Sequence, residues 1–214
     1  MPGKHSRNRR LQLSALVLAT TVLTAIHPVQ AQVTPEEKKS PGIYQIKANS
    51  IYPLGVTGTN VTIAIVDTGV MGAHPEFSGR VLTGYNAFNG STNTIDDNGH
   101  GTHVSGISAA GKNNPSTSGM FGVAYESYIL PIKVLDSRGS GTSAAVAQGI
   151  QYAANQRNSL TVASQFKPFV MNISLGSSAP STSIETSLRN AVSAGMAVAA
   201  AAGNDGGANP IWPA

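Results

Sequence analysis

Cysteine is absent from this sequence, which excludes a disulfide framework, a thiolate metal site and a cysteine nucleophile. Charge is scarce as well. Charged residues make up 11% of the chain against 41% hydrophobic ones, so it is neither a disordered polyelectrolyte nor a coiled coil. No glycine-rich phosphate cradle follows the first apolar strand, because DTGVMG (67–72) lacks the pattern, and this speaks against a nucleotide-binding domain. What is plentiful is glycine, with 23 residues that imply tight turns and close backbone approaches. At 214 residues the chain has the mass of one domain with a sizeable core.

The N-terminus carries Lys4, Arg7, Arg9 and Arg10, then the apolar run LQLSALVLATTVLTAI (11–26), then Val29-Gln30-Ala31. Basic head, apolar middle and small-residue exit read as a secretory signal peptide over 1–31. The alternative, a membrane anchor, needs a longer run with fewer serines and threonines. The formal charge of +4 belongs to this leader. Four of the 14 basic residues fall there and none of the 10 acidic ones, so the remainder is neutral and gives no reason to invoke nucleic acid. A short polar segment follows (32–45), read as exposed, and the rest (46–214) shows no linker and no repeat.

Strands and helices alternate over that remainder. VTIAIVD (61–67) is a β-branched apolar run, expected as a buried parallel strand. HGTHVSGISAAG (100–111) has small residues at helical spacing. YILPIKVLD (128–136) reads as a strand in which Pro131 favours a place near an edge or start. TSAAVAQGIQYAANQR (142–157) is expected as a helix capped by Thr142 or Ser143. FVMNISL (169–175), STSIETSLRNAVSAG (181–195) and MAVAAAAGN (196–204) continue as strand, helix and strand. The fold class is therefore α/β, a parallel sheet with helices on both faces, and in such sheets ligands bind beyond the carboxyl ends of the strands. Asp67, His100, Asn172, Ser174 and Asn204 all fall on that edge. Each has a plain structural reading: a turn aspartate, a helix-packing histidine, a capping asparagine. A lone DTG also suggests aspartic proteases, but those are β-rich and need two such motifs. His100 and His103 lack the HExxH spacing and a third ligand for zinc. Convergence of several polar groups on one edge favours a catalytic site.

VDTGV (66–70), DDNGHGTHVSG (96–106), NISLG (172–176) and AAAGNDG (200–206) resemble the subtilisin-like serine peptidases, over roughly 45–214. That family orders its triad Asp, His, Ser. The resemblance implies that His100 is the general base, that Asp67 orients its imidazole, and that Asn204 donates to the oxyanion. His103 is then expected to face the core. Gly139, Ser140 and Gly141 match the edge that pairs with an extended polypeptide substrate, and Ser174, Leu175 and Gly176 match the opposite side. Leu135 would line an apolar subsite, and Ala201, Ala202 and Gly203 part of the first specificity pocket. The family's nucleophile sits in a GTS-x-A motif beyond the position of Asn204. GTSAA (141–145) resembles that motif but occupies the substrate-edge context, so Ser143 reads as a decoy, and the C-terminal part with the nucleophile is expected to be missing. The chain as written is then an inactive fragment of an endopeptidase, and the alternative is a protease-derived, non-catalytic binding or surface protein. No cofactor is required for the chemistry. A structural Ca²⁺ has Glu76, in AHPEFSG, as its candidate carboxylate. The short stretch between leader and mature-like start is similar to the subtilisin-like autotransporters, which implies export to the cell surface or outer membrane, with membrane contact only in transit.

Overall fold

The computed structural model describes residues 34–113, 119–159, 161–204, 206 and 209–214, which lie in a compact unit, Val33–Ala214. The leader over 1–31 lies outside the described residues.

Two short helices, α1 (Pro35–Lys38) and α2 (Pro41–Gln45), come first. Next are β1 (Thr62–Asp67), β2 (Tyr85–Asn86), α3 (His100–Ala109), β3 (Tyr128–Lys133), α4 (Ser143–Asn158), β4 (Pro168–Ile173), α5 (Thr182–Ser193) and β5 (Ala197–Ala200). The five strands form one sheet in the order β2-β3-β1-β4-β5, and every pairing is parallel. Parallel strands need crossovers, and α3, α4 and α5 supply those from β2 to β3, β3 to β4 and β4 to β5.

Every residue of β1 is buried because both faces of the sheet are covered. Ala64 and Val66 point into a core with Ile132 of β3, Met171 and Ile173 of β4, Val146 and Ile150 of α4 and Ile184 of α5. Ile63 and Ile65 point the other way, against Ile129, Phe77 and Val104 of α3. The period of two along β1 thus separates two apolar layers. Thr142 caps α4, its side chain accepting from the Ala145 N–H.

Two features differ from the sequence reading. Segment 34–45 is not a loose polar arm. Thr34 and Glu37 form a capping box on α1, Glu36, Ser40 and Ile43 are buried, and the Ser40 hydroxyl accepts from the Phe121 N–H at 3.0 Å. Pro131 lies in the middle of β3, itself an inner strand. Its neighbours Ile129 and Lys133 bond toward the β2 side, through Arg80, Leu82 and Ala87. By alternation the missing N–H of Pro131 faces that side too, where the ladder with β2 starts only at Tyr85. Gly84 fills the gap: a Cβ there would lie 2.1 Å from the Pro131 carbonyl oxygen.

Candidate active site

Asp67 is the last residue of β1 and its side chain is fully buried, whereas the side chain of His100 is 47% exposed. The imidazole Nδ1 stands 2.8 Å from Asp67 Oδ1 and 3.0 Å from Oδ2. Asp67 Oδ1 also accepts from the Thr68 N–H at 2.7 Å. A buried carboxylate bound at Nδ1 selects one imidazole tautomer and leaves Nε2 available on the opposite side of the ring.

His100 opens α3 behind Gly99, whose φ of 105° suits glycine and whose lack of a side chain leaves the helix without an N-cap acceptor. Asp96 supplies that acceptor from upstream. Burial pulls its carboxyl upward, but hydrogen bonds from the Thr102 hydroxyl, the Gly99 and Thr102 amides and the Thr68 hydroxyl outweigh it and hold the group at about 2. Gly101 is tightly enclosed as well: a Cβ would lie 2.1 Å from the Gly69 carbonyl oxygen and 3.1 Å from Asp67 Oδ1. Gly101→Ala is expected to push α3 off the end of β1 and to cost about 1–3 kcal/mol, the range of an overpacked site. Thermal melting checks this, and a variant that melts with the wild type would show that the contact relaxes freely.

The dyad stands at the rim of an open cleft of about 570 Å³, a size ordinary for a ligand site. Thr68, Asn98, Leu135, Gly139, Ser140, Gly141, Ser143, Val146, Ser174, Leu175, Gly176 and Trp212 contribute to its walls along with His100. Among the described residues, the backbones of Gly141, Leu175 and Gly176 form no hydrogen bonds, so donors and acceptors stand unused on both sides of the cleft. Two such edges can take an extended chain as an added strand.

Comparison with known proteins agrees with this arrangement. The profile described as the Subtilase family matches residues 58–213. The chain belongs to the subtilase family. It is 40% identical to Thermitase from Thermoactinomyces vulgaris over 157 residues, 73% of this chain and 52% of that protein. With Subtilisin Savinase from Lederbergia lenta it shares 38% over 173 residues, 81% of this chain and 58% of the relative. With an alkaline protease from Shouchella clausii it shares 38% over 185 residues, 86% and 44%. The chain spans about half the length of these curated relatives.

The cleft holds seven of the substrate-side residues that the subtilase resemblance implies: Leu135, Gly139, Ser140, Gly141, Ser174, Leu175 and Gly176. Ala201, Ala202, Gly203 and Asn204 are absent from its lining. β5 ends at Ala200, and Asn204 lies in the exposed loop beyond it rather than at the strand's end. The segment 210–213 crosses in front of that wall. The Ile211 amide donates to the Ala202 carbonyl at 3.0 Å, and the Ile211 side chain packs against both Gly203 and Gly176. Trp212 and Pro213 therefore line the cleft in place of 201–204. Ser143 lines it too, at the start of α4. Among the described residues the His100 ring bonds to Asp67 and its amide to Asn98 Oδ1, with no bond from the ring to Ser143.

His103 is exposed, contrary to the core position expected for it. The buried positions of α3 are Gly101, Val104, Ser105 and Ala109, so the inward stripe passes on either side of 103. The carboxylate of Glu76 has a neighbour that the sequence did not single out, Glu36. A side chain at Gly119 would come within 2.7 Å of Glu76 Oε1 and 3.9 Å of Glu36 Oε1. Glu36 is fully buried, and its Oε2 has no hydrogen-bond partner among the described residues. Glu36 Oε1 and Glu76 Oε1 thus border the same spot beside Gly119, which makes Glu36 a second candidate carboxylate for a hard cation with oxygen ligands, although no group of three or more such ligands gathers among the described residues. Nothing in the local sequence marks Glu36, because its burial depends on the turn after α3.

Proposed function

We propose that this chain carries the acid–base half of a serine endopeptidase, with an extended polypeptide as substrate. The observation that carries the reading is the 2.8 Å contact between His100 Nδ1 and the buried Asp67, at the rim of a cleft flanked by two unpaired backbone edges. His100 Nε2 takes the proton of an attacking serine hydroxyl and returns it to the leaving amine, while Asp67 keeps the ring oriented and stabilises the imidazolium. The peptide backbone pairs with Gly139–Gly141 on one side and Ser174–Gly176 on the other. Leu135, Val146, Leu175 and Ile184 give the cleft an apolar floor that favours apolar substrate side chains. Asn204 serves as oxyanion donor once its loop turns toward the cleft.

The 214-residue polypeptide by itself is proposed to bind such a peptide without cleaving it; among the described residues no serine hydroxyl is hydrogen-bonded to the His100 ring. Two measurements test this on the purified chain. An extended apolar peptide should shift the backbone amide resonances of Gly139, Gly141 and Gly176, and their indifference would remove the substrate reading. Casein should stay intact, and turnover that disappears in His100→Ala would refute the chain's inactivity.

Export belongs to the same proposal and rests on the leader-like sequence of 1–31, with the autotransporter-type arrangement as its narrower form. Among the described residues no helix is long and apolar enough to cross a membrane. A structural Ca²⁺ held by Glu36 and Glu76 would tie α1 to the turn after α3 and neutralise the buried carboxylate. At a hundred times its dissociation constant such an ion stabilises by about 2.7 kcal/mol. Adding a chelator is therefore expected to lower the melting temperature, and Glu36→Gln is expected to make the protein indifferent to chelation. A melt unchanged by chelator and restored Ca²⁺ would dismiss the site.

A further inference from the structure

The contact between Asp67 and His100 joins residues 33 positions apart. β1 places the first and α3 the second, and something has to fix the end of one against the start of the other to within a few tenths of an ångström. A side chain that reaches both from outside the two is Asp96. Its Oδ1 accepts from the Thr68 hydroxyl at 2.8 Å, the Gly99 amide at 2.9 Å and the Asn98 amide at 3.1 Å. Its Oδ2 accepts from the Thr102 amide at 2.9 Å and the Thr102 hydroxyl at 2.6 Å. One oxygen thus holds the residue that follows Asp67, and the other holds the third residue of the helix that begins with His100.

The Thr68 hydroxyl makes the link directional. It has one proton, which it gives to Asp96, so its lone pairs are left to accept the Gly101 amide at 2.9 Å. The Thr68 amide in turn donates to Asp67 Oδ1. A continuous path therefore runs from the Asp67 carboxylate through Thr68 to Asp96 and to the two residues that follow His100. Because an ionised carboxylate is acceptor-only, it alone can receive all five donors at once.

We propose that Asp96 is a positioning residue, whose carboxylate locks the end of β1 to the first turn of α3 and thereby holds the His100 imidazole on Asp67. The importance of that lock for turnover rests on the endopeptidase reading; the lock itself does not. Asp96 touches neither substrate nor the imidazole, and acts through Thr68, Gly101 and Thr102.

The test uses the 214-residue chain and its imidazole nitrogen and Nδ1–H proton resonances in mildly alkaline buffer, with His100 assigned by its loss in His100→Ala. In the wild type the ring should be the Nδ1–H tautomer with a far-downfield bonded proton. In Asp96→Ala the downfield proton should vanish, the ring should revert toward the Nε2–H tautomer that free histidine prefers, and the Gly101 and Thr102 amides should exchange about tenfold faster. Asp96→Asn keeps an acceptor for Thr68 but presents an amide to the Thr102 N–H. It should retain the downfield proton, broadened, with faster exchange confined to Thr102, and it is the informative variant if Asp96→Ala does not melt cooperatively. Ile150→Val, which loosens the opposite core by about 0.5–1.5 kcal/mol, should leave the His100 signals in place. Wild-type His100 signals in both Asp96 variants would overturn the proposal, as would their equal loss in Ile150→Val. Failure of the endopeptidase reading would show elsewhere, as peptides that leave the cleft amides unshifted, and would not touch this result.

Discussion

Fused to a downstream segment bearing the GTS-x-A nucleophile motif of the subtilases, residues 58–213 are expected to hydrolyse casein, and His100→Ala in that fusion to lower turnover about 10⁶-fold. The size of the effect follows from the division of labour in the dyad. Without the imidazole there is no base within hydrogen-bond reach of a serine hydroxyl, whose own acidity is far too weak at neutral pH, so the covalent route closes altogether. Asp67→Asn should cost less, about 10⁴-fold, because the base survives but in the wrong tautomer: an amide facing Nδ1 no longer demands a proton there. The ordering matters more than either figure. A fusion in which Asp67→Asn is the more damaging change, or in which His100→Ala keeps a tenth of the rate, would mean that the 2.8 Å pair is a structural contact rather than the catalytic one.

Several parts of this arrangement were legible in the sequence, and others could not have been. β1 and β4 announce themselves because apolar content and period are local quantities, and the helix beginning at His100 shows through small residues at helical spacing. The approach of Asp67 to His100 followed from the carboxyl-edge rule combined with the motif around each residue. His103 was misplaced because α3 buries mostly glycine, serine and alanine, which leave the inward stripe of the helix without an apolar signature. By sequence Pro131 favours a place near an edge or start, because its tolerance in the middle of an inner strand depends on Gly84, almost fifty residues away in sequence. The cleft wall assigned to 201–204 is covered by Ile211–Pro213, a packing choice that no spacing rule encodes. Asp96 lay in plain view inside DDNGHGTH, but its role comes from the number of donors that reach it, and those come from Thr68 as well as its own loop.

Lys133→Met is expected to be among the most destabilising single changes in the chain. The ammonium lies at the end of β3, with its side chain 8% exposed, and donates to the Thr68 carbonyl at 2.5 Å, the Leu135 carbonyl at 3.0 Å and Asp97 Oδ1 at 2.6 Å. Methionine fills the stem's volume with little loss of packing, so the effect isolates the donors. Two carbonyls would be left in the interior without a partner, at about 1–3 kcal/mol each. The Asp97 term adds little, because that carboxylate is 51% exposed and returns to water. The sum of about 2–6 kcal/mol corresponds to a melting temperature lower by about 4–24 °C for a domain of this size. Asp97→Asn alone should shift the melt by no more than a surface pair does, as should Arg189→Ala, which removes the exposed helical pair with Glu185. If Asp97→Asn proved as damaging as Lys133→Met, the ion pair rather than the carbonyl bonds would hold the end of β1, and Thr68 would owe its place to charge instead of hydrogen bonding.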